Sequence, residues 1–309
     1  MTEEKKLRGV VPIVPTPFDE NEEIDEGALR GLIDFAAESS LKGVCLPAYA
    51  SEFYKLSDEE KIQVVKIAAD QAKGRLQIVA QSNHASVKHA IRIAEQNIKS
   101  GADVISIAIP RMFSVGTASV YEYLSIFLKE LAPVPVLVQD FNPGGGTVNA
   151  EFIKDITAEF PNLKYLKLEE PLAATKFEQI IQTTEGRLGV FEGWGGLYMM
   201  ELIPVGITGA MPGFAVADIL QKAFDYRKQG DIDKAFYLFE KVMPQIFFSL
   251  QSMELFHYAE KELLVARNLL SNSISRSMRY IPDAHTVAYI KLLNERMIQF
   301  LEQNNDILK

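Results

Sequence analysis

The sequence predicts an α/β fold, a TIM (β/α)8 barrel with a C-terminal helical extension, on three observations. Eight short apolar runs of strand character recur before residue 215. Amphipathic stretches of helical period separate them. From about residue 215 onward the pattern is helical throughout, which is more helix than barrel closure requires.

The strand runs are GVVPIV (9–14), GVCLP (43–47), LQIVAQ (76–81), ADVISIAI (102–109), VPVLVQ (134–139), YLKL (165–168), RLGVFE (187–192) and ITGAM (207–211). Between the first four lie helical stretches at 26–39, 57–73 and 86–101. Ser57 followed by Glu60 forms a capping box before the second, and Gly101 sits just past the end of the third. Alternation of strand and helix is the signature of a parallel sheet, and eight such units close a barrel. Four helices follow, at 215–229, 232–249, 255–270 and 286–303. No Pro/Gly/Ser-rich linker separates them, so residues 1–215 read as the barrel and 216–309 as an extension packed on it.

With 309 residues, 48% hydrophobic and 24% charged, the chain can bury a large core. A net charge of −9 argues against a nucleic-acid or anionic-membrane surface. No apolar run is long enough to span a bilayer, and the charged N-terminus has no signal-peptide core, so a cytoplasmic location is expected. The single cysteine, Cys45, fits a reducing compartment, and the four scattered histidines lack metal-ligand spacing.

In a barrel of this kind the chemistry sits in the loops after the strands. The stretch KYLKLEE (164–170) places Tyr165, Lys167 and Glu169 on one face and Lys164, Leu166 and Leu168 on the other. If the leucines pack under helices, Lys164 is a surface charge and Lys167 points into the mouth. Desolvation disfavours an ammonium, so a buried lysine tends to expose a nucleophilic amine, which forms a Schiff base with a ketone. The alternatives are a lysine merely paired with Glu169 or another carboxylate, or a shifted register that exposes it.

Several stretches carry a family likeness. GVVPIVPTPFDENEEID (9–25), Glu52 with LSDEEK (56–61), PVLVQDFN (135–142), YLKLEEP (165–171) and GITGAMPG (206–213) occur in order. Together they resemble the dihydrodipicolinate synthase/N-acetylneuraminate lyase family of class I Schiff-base aldolases. The likeness implies that Lys167 is the Schiff-base lysine, that loop 48–52 binds a 2-oxo acid carboxylate through Tyr49, Ala50 and Ser51, and that Ala210 on strand eight is a further substrate contact. It implies pyruvate or a related 2-oxo acid as substrate, no cofactor because the iminium is itself the electron sink, and a homotetramer or homodimer.

The chain also departs from the family pattern. The family's paired loop hydroxyls are replaced at Tyr49 and Ala50, its catalytic tyrosine falls on Gln139, its relay tyrosine on Met112, and its second-carboxylate arginine near Gly144. Gln139 can orient a substrate hydroxyl but cannot shuttle a proton as a phenol does. These departures argue against dihydrodipicolinate synthase activity itself. A pyruvate aldolase, or an aldolase or dehydratase of deoxy-sugar acids, is the expectation; a family member that only binds a small metabolite is the alternative. For the missing proton carrier, His84 is the first nominee, with Tyr49, Asp140 and Glu192 also at strand ends. Trp194 in FEGWGG either stacks on a ligand or caps the core, and Gly144–Gly146 lack the phosphate-loop spacing.

Overall fold

A computed structural model describes residues 6–111, 115–142 and 146–304. Eight parallel strands run β1 (Gly9–Val10), β2 (Gly43–Cys45), β3 (Gln77–Gln81), β4 (Val104–Ala108), β5 (Val136–Phe141), β6 (Leu163–Glu169), β7 (Gly189–Glu192) and β8 (Gly209–Ala210). Their order is β1-β8-β7-β6-β5-β4-β3-β2. The ring closes where Ile13 bridges Cys45 on one side and Gly213 on the other. The formal first strand is short because Pro12 has no N–H to give the ladder; its carbonyl still accepts from the Cys45 amide at 2.9 Å.

The helices of the ring are α1 (Glu26–Glu38), α2 (Asp58–Ala72), α3 (Val87–Lys99), α4 (Thr117–Leu131), α5 (Ala150–Glu159), α6 (Ala174–Thr183), the single turn α7 (Met199–Leu202) and α8 (Ala217–Gln229). The Ser57–Glu60 capping box is formed at the start of α2. Strand alternation divides the apolar residues into two layers. Val10, Val44, Ile78, Ile105, Val138, Leu166 and Val190 face outward into the helix layer. Val11, Val79, Val104, Leu137, Tyr165, Phe191 and Met211 fill the barrel interior. Helix α8 belongs to the ring: its Gln221 accepts from the Val10 amide at 2.7 Å. Three further helices follow it, α9 (Ile232–Ser249), α10 (Met253–Ala266) and α11 (Ala284–Gln303), together termed the extension.

Buried charge fastens the extension to the barrel. Glu52, in the loop after β2, accepts from the Lys261 ammonium of α10 at 2.6 Å, and both side chains are 1% exposed. Ser275 donates to the same carboxylate at 3.2 Å, and Lys55 reaches both Glu52 and Glu254. Burial alone would raise the Glu52 carboxyl; the charges of Lys261, His257 and Lys55 outweigh it and hold the group below its ordinary value. Phe18 lies between two cations, Lys261 and Arg276, each 4.6 Å from its ring centre.

Removing one partner of a buried pair strands the other charge. Lys261→Met should therefore cost roughly 3 kcal/mol in urea unfolding, and adding Glu52→Gln should recover part of that loss. If the two losses simply add, the pair does not couple the extension to the barrel.

Two fully buried carboxyls behave differently. Burial pushes Glu260 up to about 7 against the amides of Ala215 and Phe214, which pull it down. Glu192 is likewise raised by burial to about 7. Between the ordinary carboxylate range and pH 7 the folded state holds protons the unfolded chain has released, so these groups make stability fall as pH rises. His257, lowered to about 4 by burial, acts in the opposite sense between pH 4 and 6.5. The comparison that isolates one group is Glu260→Gln against wild type. The variant should gain on wild type by on the order of 1 kcal/mol as pH rises from about 5 to 7.5. A constant difference across that range would contradict the raised carboxyl.

Candidate active site

Lys167 lies on β6 directly beside Gln139 of β5 and Phe191 of β7. Because Leu166 and Leu168 pack outward against helices, Lys167 must face the interior, where it is 7% exposed. Lys164 is exposed on the opposite face. The same alternation brings Glu169 alongside, and its carboxylate pairs with the Lys167 ammonium at 3.0 Å. Gly193 makes room for both: a Cβ there would stand 2.9 Å from the Lys167 chain and 2.5 Å from Glu169.

A chain of amides holds this pair. Gln139 donates to Glu169 at 2.5 Å and accepts from Gln81 of β3 at 2.5 Å. Gln81 reaches across β4, whose inward positions beyond Val104 are the small Ser106 and Ala108. The carboxylate can only accept when ionised, so it fixes which end of the Gln139 amide faces it, and Gln139 in turn orients Gln81.

These groups open into a cavity of about 420 Å³ at the C-terminal ends of the strands. Ala48, Tyr49 and Ala50 form one wall, Gly193, Trp194 and Gly195 another, and Leu250, Met253 and Phe256 of the extension close the outer side. The first wall is a tight turn, Tyr49–Ser51, ending at Glu52 with φ 58°. Thr16 donates to the Ser51 carbonyl at 2.7 Å and so pins the turn to the first strand. Among the described residues, no group accepts from the amides of Tyr49 and Ala50. The Tyr49 phenol is raised by burial and by the negative charge of Glu169, which places it within electrostatic reach of the pair.

Of the residues expected at the site, Lys167, Gln139, Tyr49 and Ala50 meet in this cavity. Others do not. His84 is exposed: beyond β3 Asn83 accepts from the Ala108 amide at 2.7 Å, the chain turns out, and the His84 ring accepts from the Ser86 amide and lies 4.8 Å from that of His89. The Ser51 hydroxyl is fully buried and donates to the Val14 carbonyl at 2.6 Å, so it shapes the turn instead of facing the cavity. Ala210 faces the helix layer, and its carbonyl accepts from Val11; Met211 and Pro212 are the cavity residues of that strand end. Asp140 also points outward, where it binds Arg111 at 2.8 Å and the Val148 amide at 2.6 Å. Glu192 accepts from the amides of Trp194 and Gly196 and holds the glycine-rich loop in shape. Met112 and Gly144 lie outside the described residues. Glu169, expected only as a neutralising partner, lines the same cavity; its spacing of two from Lys167 is the signal for that.

A comparison with protein families matches residues 6–270 to the Dihydrodipicolinate synthetase family. Among curated proteins, the chain is 25% identical to the L-2-keto-3-deoxyarabonate dehydratase of Azospirillum brasilense, over 77% of this chain and 78% of that protein. It is 29% identical to the 4-hydroxy-tetrahydrodipicolinate synthase of Bartonella quintana, over 51% of this chain and about half (53%) of that protein. Among solved structures, the dihydrodipicolinate synthase of Rhodopseudomonas palustris superposes with a TM-score of 0.87 at 25% identity, covering 95% of this chain and 98% of the other. The matched span holds the entire cavity, with Lys167 at its floor. The chain belongs to the dihydrodipicolinate synthetase family, whose members are class I Schiff-base lyases.

Proposed function

We propose that this protein is a lyase acting on a 2-oxo acid, in which Lys167 forms the Schiff base and Glu169 carries the protons. The observation that carries the reading is the Lys167–Glu169 pair, buried at the floor of a cavity at the strand ends. Glu169 accepts the ammonium proton as the Lys167 amine adds to the C2 carbonyl. Loss of water from the adduct leaves an iminium, into which electrons flow when the bond from C3 to its substituent, or the C3–H bond next to a leaving hydroxyl, breaks. The unsatisfied amides of Tyr49 and Ala50 would receive the substrate carboxylate, because backbone donors in a tight turn hold an anion without a hydroxyl pair. Gln139 positions the substrate oxygen, and Tyr49, within the field of Glu169, adds a phenolic donor.

Pyruvate is the smallest 2-oxo acid with the C3 hydrogens that an enamine needs. The name of the Azospirillum relative favours dehydration, and the departures at Gln139 and Tyr49 stand against dihydrodipicolinate synthesis. Exposed Phe247, Leu172 and Ile281 offer apolar contacts for a homodimer or homotetramer, and the buried free Cys45 suits a reducing cytoplasm. No helix among the described residues is long and apolar enough to cross a membrane.

The test is intact mass after incubation with pyruvate and borohydride. Wild type should gain one reduced pyruvate and Lys167→Ala none; absence of an adduct on wild type would refute the reading. In turnover, Glu169→Gln should lose about 100-fold or more in kcat with a smaller change in KM. An unchanged kcat would remove Glu169 from proton transfer.

A further inference from the structure

The cavity has few polar side chains. Lys167, Glu169, Gln139 and Tyr49 supply them; the other lining side chains are aromatic or aliphatic, Phe141, Trp194, Leu250 and Phe256 among them, with glycine and proline backbone. Among the described lining residues Lys167 is the sole cation, and Glu169 already pairs with it. A second carboxylate on the substrate would find no positive partner there, and would approach Glu169. A polyol would leave its hydroxyls against aromatic and aliphatic walls, at the cost of their hydrogen bonds to water.

We propose that the substrate's carbon chain beyond C3 ends in an apolar group, an aryl ring in particular, packed between Phe141, Trp194 and the extension. This rests on the Schiff-base reading and goes beyond it in naming the tail. Phe141 and Trp194 stand edge to face with ring centres 6.0 Å apart, each partly buried at the mouth, a geometry that leaves aromatic surface for a third ring. The wall from the extension is fixed in place. Gly195, at φ 68°, lies so close to the end of α9 that a Cβ would meet Leu250 at 2.8 Å. Phe256 packs as closely on Gly213, where a Cβ would meet its ring at 2.9 Å, so Leu250 and Phe256 are held against the strand ends, and they belong to the extension that Glu52 and Lys261 fasten down.

For a 4-hydroxy-2-oxo-4-arylbutanoate the step balances without any added reagent except water. Lys167 joins C2 as an iminium and Glu169 takes the proton of the C4 hydroxyl. The C3–C4 bond breaks, its electron pair passing to the iminium nitrogen as an enamine, and an aryl aldehyde leaves. Glu169 returns the proton to C3, and water hydrolyses the iminium to free pyruvate.

The experiment measures borohydride trapping against concentration for pyruvate, 2-oxoglutarate, a 3-deoxy-2-oxo-pentonate and 2-oxo-4-phenylbutanoate. The phenyl acid should half-saturate at a concentration about tenfold or more below either polar acid, the factor expected for burying a ring instead of a charge or polyol. Trp194→Ala should shrink that ratio to about threefold or less. A pyruvate adduct accompanied by an equal or better response to 2-oxoglutarate or the pentonate would overturn the apolar tail and leave the Schiff-base site standing. No adduct with any of the four acids would overturn both.

Discussion

A lysine and a glutamate two residues apart on a strand have to share a face, and at the end of β6 that face is the interior of a closed barrel. Much of the local architecture answers to that constraint. Two charged groups taken from water must be paired, and Lys167 and Glu169 pair with one another at 3.0 Å. The amide chain from Gln81 through Gln139 completes the hydrogen bonding of the carboxylate, and the small side chains of β4 leave the path open. Gly193 is required because no side chain fits against the pair. Packing here is therefore an electrostatic problem: an ammonium kept from water has its counter-charge in direct contact.

The second dependence runs outward from the loop after β2. Its turn, whose residues Tyr49 and Ala50 line the cavity, ends in the left-handed Glu52, whose carboxylate is bound by α10. The wall that supplies Leu250, Met253 and Phe256 is built from the same extension. One buried ion pair thus joins the loop that carries the Tyr49–Ser51 turn to the extension that supplies the apolar wall. The T-P-F stretch at 16–18 serves the same junction, Thr16 through the Ser51 carbonyl and Phe18 through its place between Lys261 and Arg276.

How much of this was legible in the sequence follows from the range of each interaction. Strand alternation is a local property, so the inward face of KYLKLEE and the burial of Lys167 could be read directly, and the eight βα units with them. Glu169 was equally visible at the same parity, two residues from Lys167 on one strand face. The placement of His84 was not legible, because it depends on Asn83 capping the neighbouring strand at Ala108 and turning the chain outward. Nor was the direction of the Ser51 hydroxyl, set by a short turn docking on Val14. The pairing of Glu52 with Lys261 joins residues 209 apart, and no periodicity or spacing rule reaches that far. Family likeness located the lysine; the glutamate and the apolar wall emerged from three-dimensional packing.

The central claim is that one buried lysine and its neighbouring carboxylate perform the chemistry while the turn at 49–50 holds the acid. The most direct measurement is a crystal structure of the protein soaked with pyruvate. The account predicts continuous density from the Lys167 Nζ to C2, the carboxylate on the amides of Tyr49 and Ala50, and Glu169 in hydrogen-bond contact with the adduct. Pyruvate bound without a covalent link to Lys167, or with its carboxylate away from that turn, would contradict it.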